Sequence, residues 1–162
     1  MAEKTITSYF QEDHDRLDKL FDQFQALKAC DYPEAKRNFK EFKFGLQRHI
    51  VWEEDILFPF FETKTGSPKD AGPTAVMRFE HRLIKEALEL LHRKVQKEDS
   101  DSDEEETKLL SSLSEHNRKE ETILYPMIDR FASEEERKQI FKQMENIPEE
   151  QYRSCCNIHH HS

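Results

Sequence analysis

Apolar residues recur at alternating steps of four and three along much of the chain. Phe10, Leu17, Phe21 and Phe24 follow this spacing, and His14 falls in step with them. Because an α-helix turns once every ~3.6 residues, the spacing places these side chains on one face of a helix. The same periodicity predicts four long amphipathic helices, over about residues 5–29, 33–62, 74–98 and 104–130.

Short segments rich in Asp, Ser, Gly and Pro separate the four predicted helices, at residues 31–33, 66–73 and 100–102. Short connections make successive helices antiparallel neighbours, so the sequence predicts an all-α fold, an up-down-up-down four-helix bundle. Ser133 and Glu136 have the spacing of a capping box, in which each side chain bonds the backbone of the other residue. A short C-terminal fifth helix is therefore predicted to begin at Ser133.

Composition agrees with a helical bundle and sets the expected number of domains. The 162 residues include three Gly, and 36% are charged, which suits long amphipathic helices better than a sheet with many turns. A chain of this length buries one core. We expect one domain over residues 1–147 and a disordered C-terminal tail over residues 148–162.

Charge and apolar content argue against several classes of partner. The formal net charge of −9 lacks the basic footprint of a protein that binds nucleic acid or anionic membranes. No apolar run approaches the roughly 20 residues that span a bilayer, and the polar N-terminal segment differs from a secretion signal. The three Cys lack C-x-x-C spacing and argue against a disulfide framework. We expect a soluble, cytoplasmic protein whose partners are small molecules or proteins.

An internal repeat places polar residues on the apolar faces. Residues 49–59 recur as residues 116–126, an offset of 67 positions without a gap. The same offset relates His14 to His81. Each half of the chain therefore has one His on its first helix and a His-x-x-x-Glu motif on its second.

Six polar residues of the repeat fall on the predicted apolar faces: His14, His49, Glu53, His81, His116 and Glu120. Two ionised Glu buried near one bundle axis would repel each other and lose their hydration unless cations lay between them. A single His on an apolar face is more often a core residue with a hydrogen-bond partner. Six such residues, matched in two halves at identical spacing, instead indicate a metal site.

The donor set of four imidazoles and two carboxylates favours a metal with nitrogen and oxygen ligands over a thiolate-bound structural zinc. Two metal ions fit this set better than one. If both Glu bridge, each ion receives two His nitrogens and two carboxylate oxygens, and a shared oxo or hydroxo bridge adds a fifth ligand. An octahedral ion would then keep one exchangeable position.

The motifs around these residues resemble the hemerythrin-like (hemerythrin HHE cation-binding) family. They are His-x-x-x-Glu-Glu-x-x-Leu-Phe-Pro at residues 49–59, its copy with Tyr in place of Phe at residues 116–126, and Glu80-His81 between them. The resemblance covers about residues 5–130. It implies two non-haem iron ions that bind oxygen, nitric oxide or peroxide, with the four His as terminal ligands and the two Glu as bridges.

The sequence departs from the oxygen-carrying hemerythrins in two ways. The carriers have a fifth His four residues from the ligand on the third helix, where this chain has Met77 and Lys85. In the carriers the last carboxylate is an Asp five residues after its His. Here the internal repeat favours Glu120, four residues after His116, as the ligand. Glu54 and Glu121 are then expected beside the ligands or at the surface. The four-His, two-Glu set is similar to that of the di-iron proteins of iron-sulfur repair, which typically carry a Cys-containing N-terminal domain.

Other candidate features have simpler explanations. We interpret His92 as a polar residue near one end of the bundle, because ferritin-like sites need two Glu-x-x-His motifs and this chain has one. Residues 98–106 are expected to form a solvated acidic loop, and residues 155–161, rich in Cys and His, a disordered terminus. Four aromatic residues either line a dry pocket for a diatomic ligand or pack in the core: Phe42, Trp52, Phe58 and Tyr125.

Three functions remain compatible with this sequence. The first is a di-iron protein that binds or turns over a small oxidant, which the absent fifth His favours because each iron would keep an exchangeable position. The second is a reversible oxygen or nitric oxide carrier or store. The third is an iron or redox sensor in which metal occupancy controls folding, and it ranks last because the sequence has no evident output domain.

Overall fold

A computed structural model of the chain describes residues 4–157. Four long helical segments form the predicted up-down-up-down bundle, and two shorter helices follow it. Within the described residues there is no strand, so the all-α prediction is confirmed. The helices are α1 (Ile6–Leu27), α2 (Tyr32–Trp52), α3 (Phe58–Thr65), α4 (Pro73–Gln96), α5 (Asp103–Lys119), α6 (Tyr125–Phe131), α7 (Glu134–Glu145) and α8 (Glu149–Asn157).

Capping side chains fix several helix ends. The Thr5 hydroxyl accepts a hydrogen bond from the Ser8 backbone N–H at the start of α1. The predicted capping box at Ser133 and Glu136 is present, so the predicted fifth helix is confirmed as α7. At the end of α3, Gly66 has a φ of 70°, a left-handed conformation that glycine adopts without steric cost.

The second and fourth long helices each contain one wide π turn, which the sequence analysis missed. The turns span Glu53–Leu57 and Glu120–Leu124, so each begins at a candidate ligand. In the first turn, the Phe58 N–H donates to the carbonyl of Glu53, five residues earlier. Pro59, which follows, lacks an N–H and would crowd the carbonyl four residues before it in a regular helix. A wider turn accommodates that proline, and the repeat puts Pro126 in the same place.

The core consists of two apolar clusters on either side of a polar layer. One cluster contains Phe21, Phe39 and Leu88, and the other contains Phe10 and Trp52. In each long helix, the candidate ligands lie between residues of one cluster and residues of the other. The bundle therefore shields the candidate site from solvent at both ends with packed apolar side chains.

Helix α8 corrects the expectation of a disordered tail that begins at residue 148. Tyr152 on α8 is 6% exposed, and the Trp52 indole N–H donates to its hydroxyl over 2.9 Å. The ring is therefore buried with its polar atom paired, which docks the helix. Cys155 and Cys156 lie within α8, whereas His159, His160 and His161 lie outside the described residues. The domain boundary at residue 147 stays a prediction.

Across residues 4–157, no helix combines the length and the apolar character needed to cross a bilayer.

Candidate metal centre

The structure brings all six predicted site residues together at the centre of the bundle. Each is at most 3% exposed. Their potential ligand atoms form two groups, each with all atoms within 4.8 Å of one another: Glu53, His81, His116 and Glu120 in one, and His14, His49 and Glu120 in the other. The two groups share a carboxylate, as expected for two adjacent metal positions. That these residues ligate a metal stays a prediction.

Each of the two glutamates presents one oxygen to each side of the centre. Glu53 Oε2 lies 3.5 Å from His49 Nε2, and its Oε1 lies 2.9 Å from His81 Nε2. Glu120 Oε1 lies 3.3 Å from His14 Nε2, and its Oε2 lies 3.2 Å from His116 Nε2. We call the His14 and His49 half position A and the His81 and His116 half position B. This arrangement is the one that two bridging carboxylates require.

A carboxylate from a neighbouring helix faces the other ring nitrogen of each imidazole. The His49 Nδ1 lies 2.9 Å from Asp13 Oδ2, and the His116 Nδ1 lies 2.8 Å from Glu80 Oε1. When Nδ1 donates to a carboxylate, the Nε2 lone pair is free to bind a metal, and the partner makes that nitrogen a stronger base. The remaining two pairs are His81 with Glu54 at 2.7 Å and His14 with Glu121 at 2.6 Å.

These four carboxylates follow the order of the four long helical segments around the bundle, because each segment supplies the carboxylate that faces the imidazole of the next. The sequence analysis placed Glu54 and Glu121 beside the ligands or at the surface, and both contact an imidazole. It missed Asp13 and Glu80. Their signal was present, because each residue directly precedes a candidate His and the two are related by the repeat.

The buried polar atoms of position B test whether a metal fits. Four atoms there are buried and have no hydrogen-bond partner: Glu53 Oε1, His81 Nε2, His116 Nε2 and Glu120 Oε2. The His81 and Glu53 atoms lie 2.9 Å apart, yet neither has a hydrogen-bond partner. Leaving such groups unpaired is costly in a packed interior. They are two nitrogens and two carboxylate oxygens that converge on one point, which is the donor set of a cation.

The electrostatics of the centre also favour positive charge. Burial disfavours a charged imidazole at His49, but Glu53 and Asp13 outweigh it and raise its pKa from 6.5 to about 10. Burial also lowers the pKa of His81, but Glu53 and Glu54 outweigh it and raise that pKa from 6.5 to about 9. Burial also opposes ionisation of Glu53, yet His49 holds the pKa of that carboxyl well below 4.5. The carboxylates therefore attract protons to the imidazoles, and a metal cation would meet the same negative potential.

Tyr125 is a site residue that the sequence analysis left undecided between pocket and core. Its hydroxyl contacts Glu53 Oε2 and lies 2.8 Å from Glu120 Oε1 and 3.1 Å from His49 Nε2. Burial and the charge of Glu120 raise the pKa of its phenol well above 10. The hydroxyl is thus a hydrogen-bond partner for the buried polar atoms of position A.

Two cavities bear on access to the centre. A small one, of about 10 Å³, is lined by apolar side chains such as Leu113 and by four candidate ligands, His49, Glu53, His81 and His116. A surface pocket of about 470 Å³ between α1 and α5 is lined by His14 and also by Leu113. The inner cavity has room for about one water molecule, which needs about 10–15 Å³.

The weaker candidates lie away from the centre. His92 contacts Lys43 at 2.7 Å and stacks on Phe39, in agreement with its interpretation as a polar residue of one bundle end. The acidic run only partly matches the predicted loop, because α5 begins at Asp103. Glu106 is 2% exposed and pairs with Lys28 at 2.6 Å. Negative residues stabilise the first turn of α5 through the helix dipole.

The bundle and its buried cluster define a class of protein, helical domains with buried His and Glu that could hold a metal. Residues 5–128 match the model of the hemerythrin HHE cation binding domain, and the chain belongs to this family. An uncharacterized hemerythrin-like protein of Schizosaccharomyces pombe (strain 972) is 32% identical over 119 residues, which are 73% of this chain. The chain spans 58% of that relative's length. No solved structure gave a significant match.

Proposed function

We propose that the chain holds two non-haem iron ions and turns over a small oxidant, namely oxygen, peroxide or nitric oxide. The observation that supports this most strongly is the two-sided arrangement of the glutamates, in which each carboxylate faces one His pair on each side. His14 and His49 would hold one ion, His81 and His116 the other, and Glu53 and Glu120 would bridge them. Family membership supports the choice of iron.

The iron pair would supply the electrons for reduction of the oxidant. The protein would control which molecules reach the iron pair. Apolar residues on both sides of the polar layer exclude bulk water, and the inner cavity of about 10 Å³ favours the smallest ligands. Four carboxylates fix the orientation of the imidazoles and increase their basicity.

A reversible carrier is the second candidate, and the third helix argues against it. Met77 packs in the apolar core and Lys85 is partly exposed, so neither position offers the imidazole that the carriers have. Position B therefore has two His from the chain, as position A has. The ion at position B would therefore keep a position for an exogenous ligand that the additional imidazole fills in the carriers, which favours turnover over carriage.

Stopped-flow mixing of the reduced, iron-loaded protein with oxygen tests the proposal. We expect oxygen to be consumed within the first turnover and the iron to stay oxidised when the solution is placed under vacuum. The Glu120→Ala variant, which lacks a bridging carboxylate, serves as the control for oxidation of loosely bound iron. Recovery of intact oxygen and of the reduced protein under vacuum would support the carrier and contradict turnover. Parallel assays with peroxide and nitric oxide identify the preferred oxidant.

A further inference from the structure

The two candidate metal positions differ by one hydroxyl group. The repeat relates Tyr125 to Phe58, so a tyrosine stands at position A where a phenylalanine stands at position B. Their rings take equivalent places in the fold. Tyr125 and His14 have ring centroids 5.9 Å apart, and Phe58 and His81 have centroids 5.7 Å apart. Since the backbones and rings match, the phenolic oxygen is the main chemical difference between the two positions.

That oxygen is surrounded by the potential ligands of position A. It contacts Glu53 Oε2 and lies within 3.5 Å of Glu120 Oε1, His49 Nε2 and His14 Nε2. An ion bound by these four atoms must therefore lie beside the phenolic oxygen. Tyr125 is fully buried, so no solvent competes for its hydroxyl. At position B, the equivalent four atoms have no hydrogen-bond partner, as expected where the hydroxyl is missing.

We propose that Tyr125 is a metal ligand that gives its phenolic oxygen to the ion at position A and to no ion at position B. This inference rests on the proposed di-iron function. On binding, the O–H bond breaks, the proton leaves to solvent and an oxygen–iron bond forms, with no change in oxidation state. An anionic oxygen suits a hard ferric ion. The carboxylate and phenolate ligands also balance the positive charge of a buried ferric ion.

The consequence is that the two irons have different numbers of protein ligands. With two His, two carboxylate oxygens and a phenolate, position A has one protein ligand more than position B. The exchangeable position then belongs to the ion at position B. The inner cavity agrees, because its lining includes both imidazoles of position B, His81 and His116, but only one of position A, His49. This replaces the sequence-based expectation of an equivalent open position on each iron.

Resonance Raman spectroscopy of the iron-loaded, oxidised full chain tests the assignment, with iron per chain measured on the same samples. Iron-bound phenolate has a visible charge-transfer absorption and enhanced ring vibrations, which free tyrosine and carboxylate-bound iron lack. The key variant is Tyr125→Phe. The matched control is Tyr9→Phe, because the ring of Tyr9 packs against the aromatic residues Phe10, Trp52 and Phe141.

We expect phenolate vibrations in the wild type and in Tyr9→Phe, and their complete loss in Tyr125→Phe at an unchanged iron content of about two per chain. Wild-type protein with two irons and no phenolate vibrations would overturn the inference and leave the proposed function standing. Vibrations that persist in Tyr125→Phe would overturn it as well. A wild type that binds no iron pair would overturn the proposed function itself, and this assignment with it. If Tyr125→Phe fails to fold, persistence of the vibrations in Tyr9→Phe, Tyr32→Phe and Tyr152→Phe assigns them to Tyr125, the fourth tyrosine of the chain, and their loss in any of the three overturns the inference.

Discussion

Replacement of Glu54 by Gln should weaken metal binding without removing the site. Glu54 Oε2 lies 2.7 Å from His81 Nδ1, and the carboxyl is partly exposed, so the change removes a negative charge that orients one imidazole. Loss of such a partner typically reduces metal affinity by about 10–100-fold, or about 1.4–2.8 kcal/mol. Glu53→Gln should be more severe, because it removes the anionic bridge of both positions, and we expect neither ion to be retained during purification.

Anaerobic competition against a ferrous chelator measures the affinity of each variant. Glu115→Gln is the matched control, since Glu115 is 59% exposed and pairs with Arg118 on the surface of α5. An exposed pair of this kind contributes little, so the control should bind iron as the wild type does. Equal affinities for Glu54→Gln and Glu115→Gln would refute the role of the outer carboxylates. Equal losses for Glu54→Gln and Glu53→Gln would mean that the bridging carboxylates are wrongly chosen.

Two further predictions concern pH and α8. The pKa values of about 10 for His49 and about 9 for His81 exceed the 6.5 of an unfolded chain, so the chelator-stripped protein binds protons on folding. Its free energy of unfolding, measured by urea titration, should be highest below pH 6.5 and decrease as the pH rises toward 9 to 10. Iron affinity should instead rise over that range, because imidazoles must lose a proton to bind metal, and constant values would contradict both shifts. Tyr152→Phe leaves the buried Trp52 N–H unpaired and should lower the free energy of unfolding by about 1–3 kcal/mol, whereas no change would mean that α8 is not docked through this bond.

The burial of the six candidate residues could be predicted from the sequence because each is a polar residue at a position of the apolar pattern. A His or Glu on the buried face of a helix must have a buried partner, and the repeat showed that both halves make the same exception. The capping box of α7 was predictable for a similar reason, since Ser133 and Glu136 interact within one turn. The local spacing of residues and the internal repeat were therefore sufficient to predict most of the fold and the six candidate residues.

The features that were missed depend on how one helix is rotated against another. Asp13 pairs with His49 and Glu80 with His116 across helix interfaces, and a single sequence does not specify that register. Tyr125 is a similar case, because its motif is shared with Phe58 and its hydroxyl gains a role only beside Glu53 and the other ligands. Helix α8 was missed because a single buried ring does not produce a periodic pattern.

The iron content of the chain tests the central claim most directly. Protein produced with ample iron and purified without chelators should contain about two iron atoms per chain, because two bridging carboxylates and four imidazoles would be under-used by one ion. A content near one iron per chain, or zinc retained in preference to iron, would contradict the di-iron centre.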